Sequence, residues 1–311
     1  MPTGQALSGR RPSAYIVPIP KATRTAGQLE LDVEGPVNLK TNDLVNRIRD
    51  RDDQWRALPA GQWGVTYETA RLLTHWRETT RERPLFFCQV EAAETIIWLT
   101  EVAQKNRAFQ ELADAAATHS QAANPAPMRL AMKLAPGAGK TTVMAMLIAW
   151  HTVNKARRPN SKMFTDAFLI VTPGITIKDR LRVLMPEAPD SIYERLSIVP
   201  REAKPDLLKA RIVITNYHAF QRRKQKLAPG TAEVLRGREE KDEFDERFRE
   251  TDGQMVQRVM APLMGRRGII VLNDEAHHCY EHKPKQAGQE EEPAEVIRAA
   301  EESAAEAKAD A

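Results

Sequence analysis

The spacing of apolar residues changes near residue 128. Before that point, apolar positions recur at helical intervals along segments whose other positions are largely polar or charged. The first 30 residues differ: they are polar, with prolines at positions 12, 18 and 20 and one short apolar run, and they predict an extended arm with an edge strand. The helical spacing predicts helices at residues 40–58, 67–76, 90–105 and 109–117.

After residue 128, short continuous apolar runs alternate with helix-like segments, of which 141–155 is the longest. Continuous apolar strands that alternate with helices are typical of a parallel sheet covered on both faces. We therefore expect an α/β fold, preceded by a small and mostly helical N-terminal region. The runs predict strands at residues 128–134, 167–172, 196–199, 211–215 and 268–273.

Three regions follow from these patterns. We predict an N-terminal arm and helical accessory region at 1–83, an α/β domain at 84–285 and an acidic tail at 286–311. The tail has eight acidic residues against two basic ones, so it favours a solvated helix, with an acidic flap over a basic groove as the alternative. The charged segment at 220–267 predicts helices that stand off the sheet or an insertion.

Composition narrows the class of protein. Hydrophobic residues make up 42% of the 311 residues and charged residues 28%, as in ordinary globular domains. No apolar run is long enough to predict a membrane span, and two cysteines fit the reducing cytoplasm. A net charge of +4 permits nucleic-acid binding without requiring it.

A glycine-rich turn lies between the apolar run 128–134 and the helix-like segment 141–155. A strand, such a turn and a helix in this order form a phosphate cradle of backbone N–H groups. Lys140 would reach the β- and γ-phosphates of ATP, and the Thr141 hydroxyl would bind Mg²⁺. The strict motif has glycine where Leu134 stands, so a chance loop is an alternative reading. The predicted nucleotide ligands here are Gly137, Ala138, Gly139, Lys140, Thr141 and Thr142.

A second element of this chemistry is an apolar strand that ends in Asp274 and Glu275. Asp274 would bind Mg²⁺ or its water shell, and Glu275 would act as general base toward the attacking water. The alternative is that the two carboxylates merely end a strand. Together with the glycine-rich turn, they favour a phosphoryl-transfer site.

The residues Asp274-Glu-Ala-His277 resemble the DEAH box of superfamily 2 helicases and translocases. Ala135–Thr141 is similar to motif I of these proteins, which normally lacks the earlier glycine. Residues 171–174 and 215–218 resemble their motifs Ia and Ib. The ATPase part of type III restriction enzymes, the Res subunit group, shows the greatest overall resemblance, over about residues 84–282.

The resemblance implies a RecA-like P-loop NTPase fold and roles for individual residues. It implies that Gln89 reads adenine and that His277 couples the nucleotide state to a partner domain. Hydroxyls, amides and backbone N–H groups bind phosphate without reading sequence. On this basis the implied contacts to nucleic-acid phosphates are Thr172, Pro173, Gly174, Thr215 and Asn216, with ordinary turn chemistry as the alternative.

The implied partners are ATP, Mg²⁺ and double-stranded DNA, with a methyltransferase or specificity subunit as a further partner and no membrane. Too few residues follow Glu275 for a second RecA-like domain. We therefore expect that domain and a nuclease domain on a longer or separate chain, and very weak ATP hydrolysis by this chain alone.

Other function classes fit the sequence less well. A catalytically inactive ATP- or DNA-binding fragment is the main alternative, and a kinase-like phosphotransferase would leave the loops at 172 and 215 unused. The cluster at 277–282 lacks the second ligand pair of a zinc site, and Glu239–Lys241 lacks the apolar strand of a nuclease core.

Overall fold

The computed structural model describes residues 16–19, 21–25, 28–32, 38–123, 127–223 and 249–274. The chain divides into two compact units. The first comprises Met1–Trp150 and Leu196–Arg201, and the second comprises His151–Arg195 and Glu202–Ala311. The acidic tail, the cluster at 277–282 and Glu239–Lys241 lie outside the described residues.

The N-terminal region contains four short strands, β1 (Ile16–Ile19), β2 (Lys21–Thr25), β3 (Gln28–Asp32) and β4 (Asn38–Thr41). β1 pairs with β4 and β2 with β3, both antiparallel. The prediction of one extended arm was therefore too simple. The strands have four or five residues of mixed polarity, and two residues separate β2 from β3, a spacing typical of a hairpin.

Helices follow in the first unit, as predicted. They are α1 (Asp43–Arg56), α2 (Tyr67–Arg77), α3 (Phe87–Ile97) and α4 (Gln110–Ala123). Asn42 and Thr66 cap α1 and α2: their side-chain oxygens accept from Val45 N and Thr69 N at 3.1 and 3.2 Å. A 3₁₀ turn lies at Ala60–Gln62, and after α3 the chain continues as a π-helix, Trp98–Val102, and a 3₁₀ turn, Ala103–Lys105.

Tryptophans dominate the core of the first unit. Trp55, Trp76, Trp98 and Trp150 are each at most 2% exposed. Trp55 Nε1 donates to Trp63 O at 2.8 Å, and Trp76 Nε1 donates to Ile198 O at 2.8 Å. The indole rings thus fill the core while these N–H groups satisfy backbone carbonyls.

The predicted strand at 196–199 is wrong. The chain turns at Leu196 and Ser197, where Ser197 has a left-handed φ of 47°, and no strand forms at 196–199. Its carbonyls accept from side chains of the α2 region: Arg81 contacts the carbonyls of Leu196 and Ser197, and Trp76 contacts that of Ile198. Ile198 and Val199 are buried, but the carbonyls of residues 196–198 bond side chains instead of a neighbouring strand.

The predicted strand at 128–134 is also wrong. The segment before the glycine-rich turn has no strand assignment, and Met128 and Met132 are 49% and 37% exposed. An apolar run forms a strand only where a neighbouring strand takes its backbone hydrogen bonds. The helix predicted after the turn is present as α5 (Lys140–Arg157), whose residues divide between the two units.

The second unit contains a parallel sheet of β5 (Ala167–Thr172), β6 (Arg211–Asn216) and β7 (Ile270–Asn273). Among the described strands the order is β6-β5-β7. All six residues of the central strand β5 are buried, whereas β7 alternates between partly buried and exposed positions. The three predicted strands at these places are confirmed.

Short helices connect these strands. They are α6 (Ile175–Arg180), α7 (Ile192–Arg195), α8 (Lys204–Leu207) and α9 (Asp252–Met260). 3₁₀ turns lie at Leu181–Leu184, Arg201–Ala203, Tyr217–Phe220 and Ala261–Leu263. On one face of the sheet, Ala167, Leu169 and Val171 pack against Leu263. A parallel sheet with helices confirms the predicted α/β class. No helix in the described part of the chain is long and apolar enough to cross a membrane.

Candidate functional site

The glycine-rich turn has the backbone geometry of a ligand cradle. Ala138 N donates to Ala135 O at 3.1 Å, and α5 begins at Lys140 directly after the turn. Gly137 and Gly139 have φ angles of 75° and 83°, which side chains with a Cβ adopt only at a cost. A Cβ on Gly137 would meet no protein atom within 4 Å, so this side of the turn is open.

Gln89 fastens the turn to α3. Its Nε2 donates to Ala138 O at 2.9 Å, and its Oε1 accepts from Phe86 N at 3.0 Å. A Cβ on Gly139 would lie only 2.2 Å from Gln89 Nε2. The third position of α3 therefore caps its own helix and holds a carbonyl of the turn at the same time.

These contacts bear on the role predicted for Gln89. The side chain is 5% exposed, and each of its two polar atoms bonds the backbone of this chain. Recognition of adenine by the Gln89 amide remains a prediction, and it would require exchange of at least one of these bonds.

The start of α5 places two threonines beside the turn. Thr142 is 5% exposed, and its Oγ1 would lie 3.3 Å from a Cβ on Gly139, so it packs against the turn. Thr141 is less buried. The N-terminus of an 18-residue helix adds partial positive charge to the backbone N–H groups of the turn. The turn and the helix start can therefore hold an anion.

The second set of predicted residues lies at one edge of the sheet in the second unit. Thr172 pairs in register with Asn216 at the ends of β5 and β6, and Val171 pairs with Asn273 at the end of β7. Asp274 N donates to Val171 O at 3.0 Å, which carries the β7 ladder one residue further. The carboxyl ends of all three strands therefore meet at one edge.

The threonines at this edge face inward. Thr172 is 1% exposed, and its hydroxyl donates to Gly174 O at 2.9 Å. Thr215 is 8% exposed. Asn216 Oδ1 accepts from Ala219 N at 2.9 Å and caps the 3₁₀ turn that follows β6. Thr172 and Asn216 thus shape their loops through contacts within the chain.

Arg258 on α9 braces the loop after β6, a feature that the sequence did not reveal. It donates to Ala219 O and Gln221 O at 3.1 Å each, and it pairs with Glu250 at 2.7 and 2.8 Å. The hydrogen bonds from Arg258 and from Arg223 N lower the pKa of the Glu250 carboxyl from 4.5 to about 2.

A buried charge network in the first unit was also missed. Arg56 pairs with Asp52 at 3.0 Å and with Glu94, which Arg77 also contacts at 2.5 Å. Burial raises the pKa of Asp52 from 3.8 to about 7, and the nearby Glu94 carboxylate adds to the rise, while Arg56 and the hydrogen bond from Thr95 oppose it. The available signal was polar residues at helix positions that face the core.

The predicted site residues therefore fall into three sets. The first unit brings Gln89 to the turn at 137–142, and the second brings Thr172, Thr215, Asn216 and Asp274 to one sheet edge. Glu275 and His277 lie outside the described residues. The threonine hydroxyl of Thr141 and the carboxylate of Asp274 are oxygen donors of the kind that Mg²⁺ prefers.

Comparison with known proteins identifies one family. The model of the type III restriction enzyme Res subunit matches residues 84–301. No curated protein and no solved structure matches the chain.

Proposed function

The chain belongs to the type III restriction enzyme Res subunit family, and from that membership we propose that it binds ATP with Mg²⁺ and couples ATP hydrolysis to movement along DNA. Residues 84–301 carry the helicase-like ATPase domain of restriction-type enzymes, a RecA-like domain of superfamily 2. Domains of this kind generally use ATP and Mg²⁺ and act on DNA. The roles of individual residues are part of what we propose.

The glycine-rich turn is the observation that carries the proposal. Two glycines with left-handed φ angles precede a long helix that begins at Lys140, and one side of the turn is open at Gly137. Backbone N–H groups and the helix N-terminus favour a phosphate here, and Lys140 supplies a full positive charge. Lys140 and Thr141 would hold the β- and γ-phosphates and Mg²⁺.

Asp274 and Glu275 would complete the chemistry. The hydrogen bond from Asp274 N to Val171 O fixes the backbone of Asp274 at the sheet edge. Its carboxylate would bind Mg²⁺, which stabilises the charge that develops on the transferred phosphoryl group. Glu275, the next residue in the sequence, would orient and deprotonate the attacking water as general base.

The loops after β5 and β6 would contact the DNA backbone. The register brings residues 172–174 and 215–216 to the same edge as Asp274. Since the Thr172 hydroxyl is bonded to Gly174 O, the proposed phosphate contacts are better made by backbone groups at Gly174 and by the Asn216 amide. Such contacts read the DNA backbone and carry no sequence information.

A nucleotide-binding and turnover assay on the purified chain tests this function. Fluorescent ATP analogue binding and phosphate release would be measured with and without double-stranded DNA, for the wild type, Lys140→Ala and the exposed-lysine control Lys133→Ala. We expect saturable binding that Lys140→Ala weakens by about 100-fold, through the loss of a charge-assisted contact, while Lys133→Ala binds like the wild type.

The two outcomes of turnover separate the leading function from its alternative. DNA-stimulated phosphate release that depends on Lys140 supports a motor ATPase. ATP binding without phosphate release supports an inactive ATP-binding module, provided that an added partner chain does not restore the release. Wild-type binding that Lys140→Ala leaves unchanged would exclude the turn as the nucleotide site.

A further inference from the structure

Glu101 lies at the centre of a buried polar cluster in the first unit. The residue is fully buried within the π-helix after α3. Its Oε1 accepts from Thr66 N at 2.5 Å, and its Oε2 accepts from the Thr69 hydroxyl at 2.9 Å. Trp150 Nε1, from α5, lies 3.0 Å from Thr69 Oγ1 and 3.3 Å from Glu101 Oε2. Groups from the α2 region and from α5 thus contact one carboxylate of the π-helix.

The donors around Glu101 form an ordered chain. Thr66 caps α2, its Oγ1 lies 2.8 Å from Thr69 Oγ1, and Thr69 in turn donates to Glu101. The carboxylate also faces the N-terminus of α2, where the helix dipole favours negative charge. Burial of a carboxylate is costly unless such donors satisfy it, so the cluster resists rearrangement.

The cluster has a counterpart at the start of α5. Gln89 contacts Ala138, and Glu101 contacts Trp150, and each pair is separated by 49 residues in the sequence. Equal separation means that the segment from Gln89 to Glu101 runs alongside the segment from Ala138 to Trp150. The phosphate-binding turn and the first half of α5 are therefore held at both ends by α3 and its π-helical extension.

A π-helical turn is the local reason that Glu101 reaches this position. The π-helix widens the backbone spiral at Trp98–Val102 and rotates the side chains that follow. Such turns are costly and are frequent at functional positions in helices. Here the turn places a carboxylate in a region otherwise filled by buried Trp98, Leu99 and Val102.

We propose that Glu101, acting through Thr69 and Trp150, is a positioning residue for nucleotide binding at the turn 137–142. Lys140 and Trp150 lie on the same helix, so a tilt of α5 at Trp150 displaces Lys140 and the N–H groups of the turn. Thr66 and Thr69 precede the family-matched stretch at 84–301. The helical residues before that stretch are thus structurally part of the ATPase domain. This conclusion rests on the proposed function.

Two substitutions of Thr69 on α2 test the proposal. Thr69→Val removes the hydroxyl that links Trp150 to Glu101, while Thr69→Ser keeps it. Thr74→Val is the matched control, since Thr74 is an exposed residue of the same helix whose hydroxyl bonds only locally to Ala70 O. Glu101→Gln tests the acceptor itself. The readouts are the Kd for MgADP, measured well below the melting temperature of each variant, and the rise in melting temperature at saturating MgADP.

We expect Thr69→Val and Glu101→Gln to weaken MgADP binding by about tenfold, which is no more than the worth of one hydrogen bond to a charged group. The MgADP-induced rise in melting temperature should shrink with it, and Thr69→Ser and Thr74→Val should bind like the wild type. A purely structural cluster would lower the melting temperature with and without nucleotide and leave the Kd unchanged, which would overturn the proposal.

The design separates this inference from the proposed function. Wild-type binding that Lys140→Ala does not weaken refutes the function of the turn. Wild-type binding that is sensitive to Lys140→Ala but indifferent to Thr69→Val refutes only the positioning role. If Glu101→Gln does not fold, the contrast between Thr69→Val and Thr69→Ser still decides the question.

Discussion

The turn at 137–142 and the carboxyl edge of the sheet hold their proposed ligand-binding residues in different ways. Gln89 on a neighbouring helix fastens the turn by its bond to the Ala138 carbonyl, and Glu101 contacts Trp150 farther along α5. The backbone register of parallel strands holds the edge, with Asp274 N bonded to Val171 O. The turn should thus be sensitive to single distant side chains, and the edge should tolerate most changes outside its own loops.

The largest effect should come from the edge residue with proposed chemistry. Asp274→Asn keeps the shape and the backbone bond to Val171 but removes the negative charge. We expect phosphate release to fall by about 10²–10³-fold, as for loss of other transition-state electrostatic groups, with Mg²⁺-free ADP binding unchanged. The exposed control Asp179→Asn on α6 should have wild-type activity. An active Asp274→Asn variant would remove this residue from the site.

One added methyl group should destabilise the turn more at Gly139 than at Gly137. Gly139→Ala combines left-handed strain with a Cβ 2.2 Å from Gln89 Nε2, whereas Gly137→Ala has the strain alone. We expect a loss of about 2–5 kcal/mol in the free energy of unfolding for Gly139→Ala and about 1–2 kcal/mol for Gly137→Ala. Chemical denaturation measures both.

If Gln89 causes the clash, Gln89→Ala should partly rescue Gly139→Ala. It should reduce the difference in unfolding free energy between the two glycine variants, because it removes the side-chain amide that the new Cβ would meet. Equal losses for Gly139→Ala and Gly137→Ala would show that the contact with Gln89 does not constrain the turn.

Asp52 in the first unit and Glu250 in the second should give opposite pH dependences of the free energy of unfolding. The contribution of Asp52 should fall as the pH rises. Its pKa is about 7 in the folded chain and 3.8 when unperturbed, so the folded state retains a proton that the unfolded state releases. This stabilisation is present below about pH 4 and is lost as the pH rises through 7. Relative to Asp52→Asn, the wild type should therefore lose up to about 4 kcal/mol between pH 4 and 8.

Asp50→Asn is the control for Asp52, because Asp50 is exposed on the same helix. Urea unfolding at each pH measures both variants against the wild type. A difference for Asp52→Asn that does not vary with pH would contradict the buried-carboxyl assignment.

Glu250 should give the smallest effect, in the opposite direction. Its folded pKa of about 2 lies below the usual 4.5, so its contribution is present above pH 4.5 and is lost as the pH falls toward 2. Glu250→Gln should unfold at the same pH as the wild type or slightly higher, with a flatter acid dependence. Glu187→Gln, at an exposed position, serves as the control. An unchanged acid profile for Glu250→Gln would refute the Arg258 brace.

Prediction from sequence worked best where local signals were sufficient. The helices α1–α5 and the strands β5–β7 were found from apolar spacing, since each spans several positions that face one core. The strands predicted at 128–134 and 196–199 failed because an apolar run does not by itself provide a neighbouring strand for the backbone. Residues 128–134 are largely exposed, and the carbonyls at 196–198 accept from side chains of the α2 region.

The sequence by itself determined the turn, its two glycines, the lysine that starts α5 and the carboxylate that follows β7, because these signals lie within a few adjacent residues. Only the tertiary structure decided what holds them. Gln89 and Ala138 are 49 residues apart, as are Glu101 and Trp150, and Thr69 and Trp150 are 81 apart. No local pattern shows which distant donor will satisfy a buried acceptor, since that choice depends on how the helices pack.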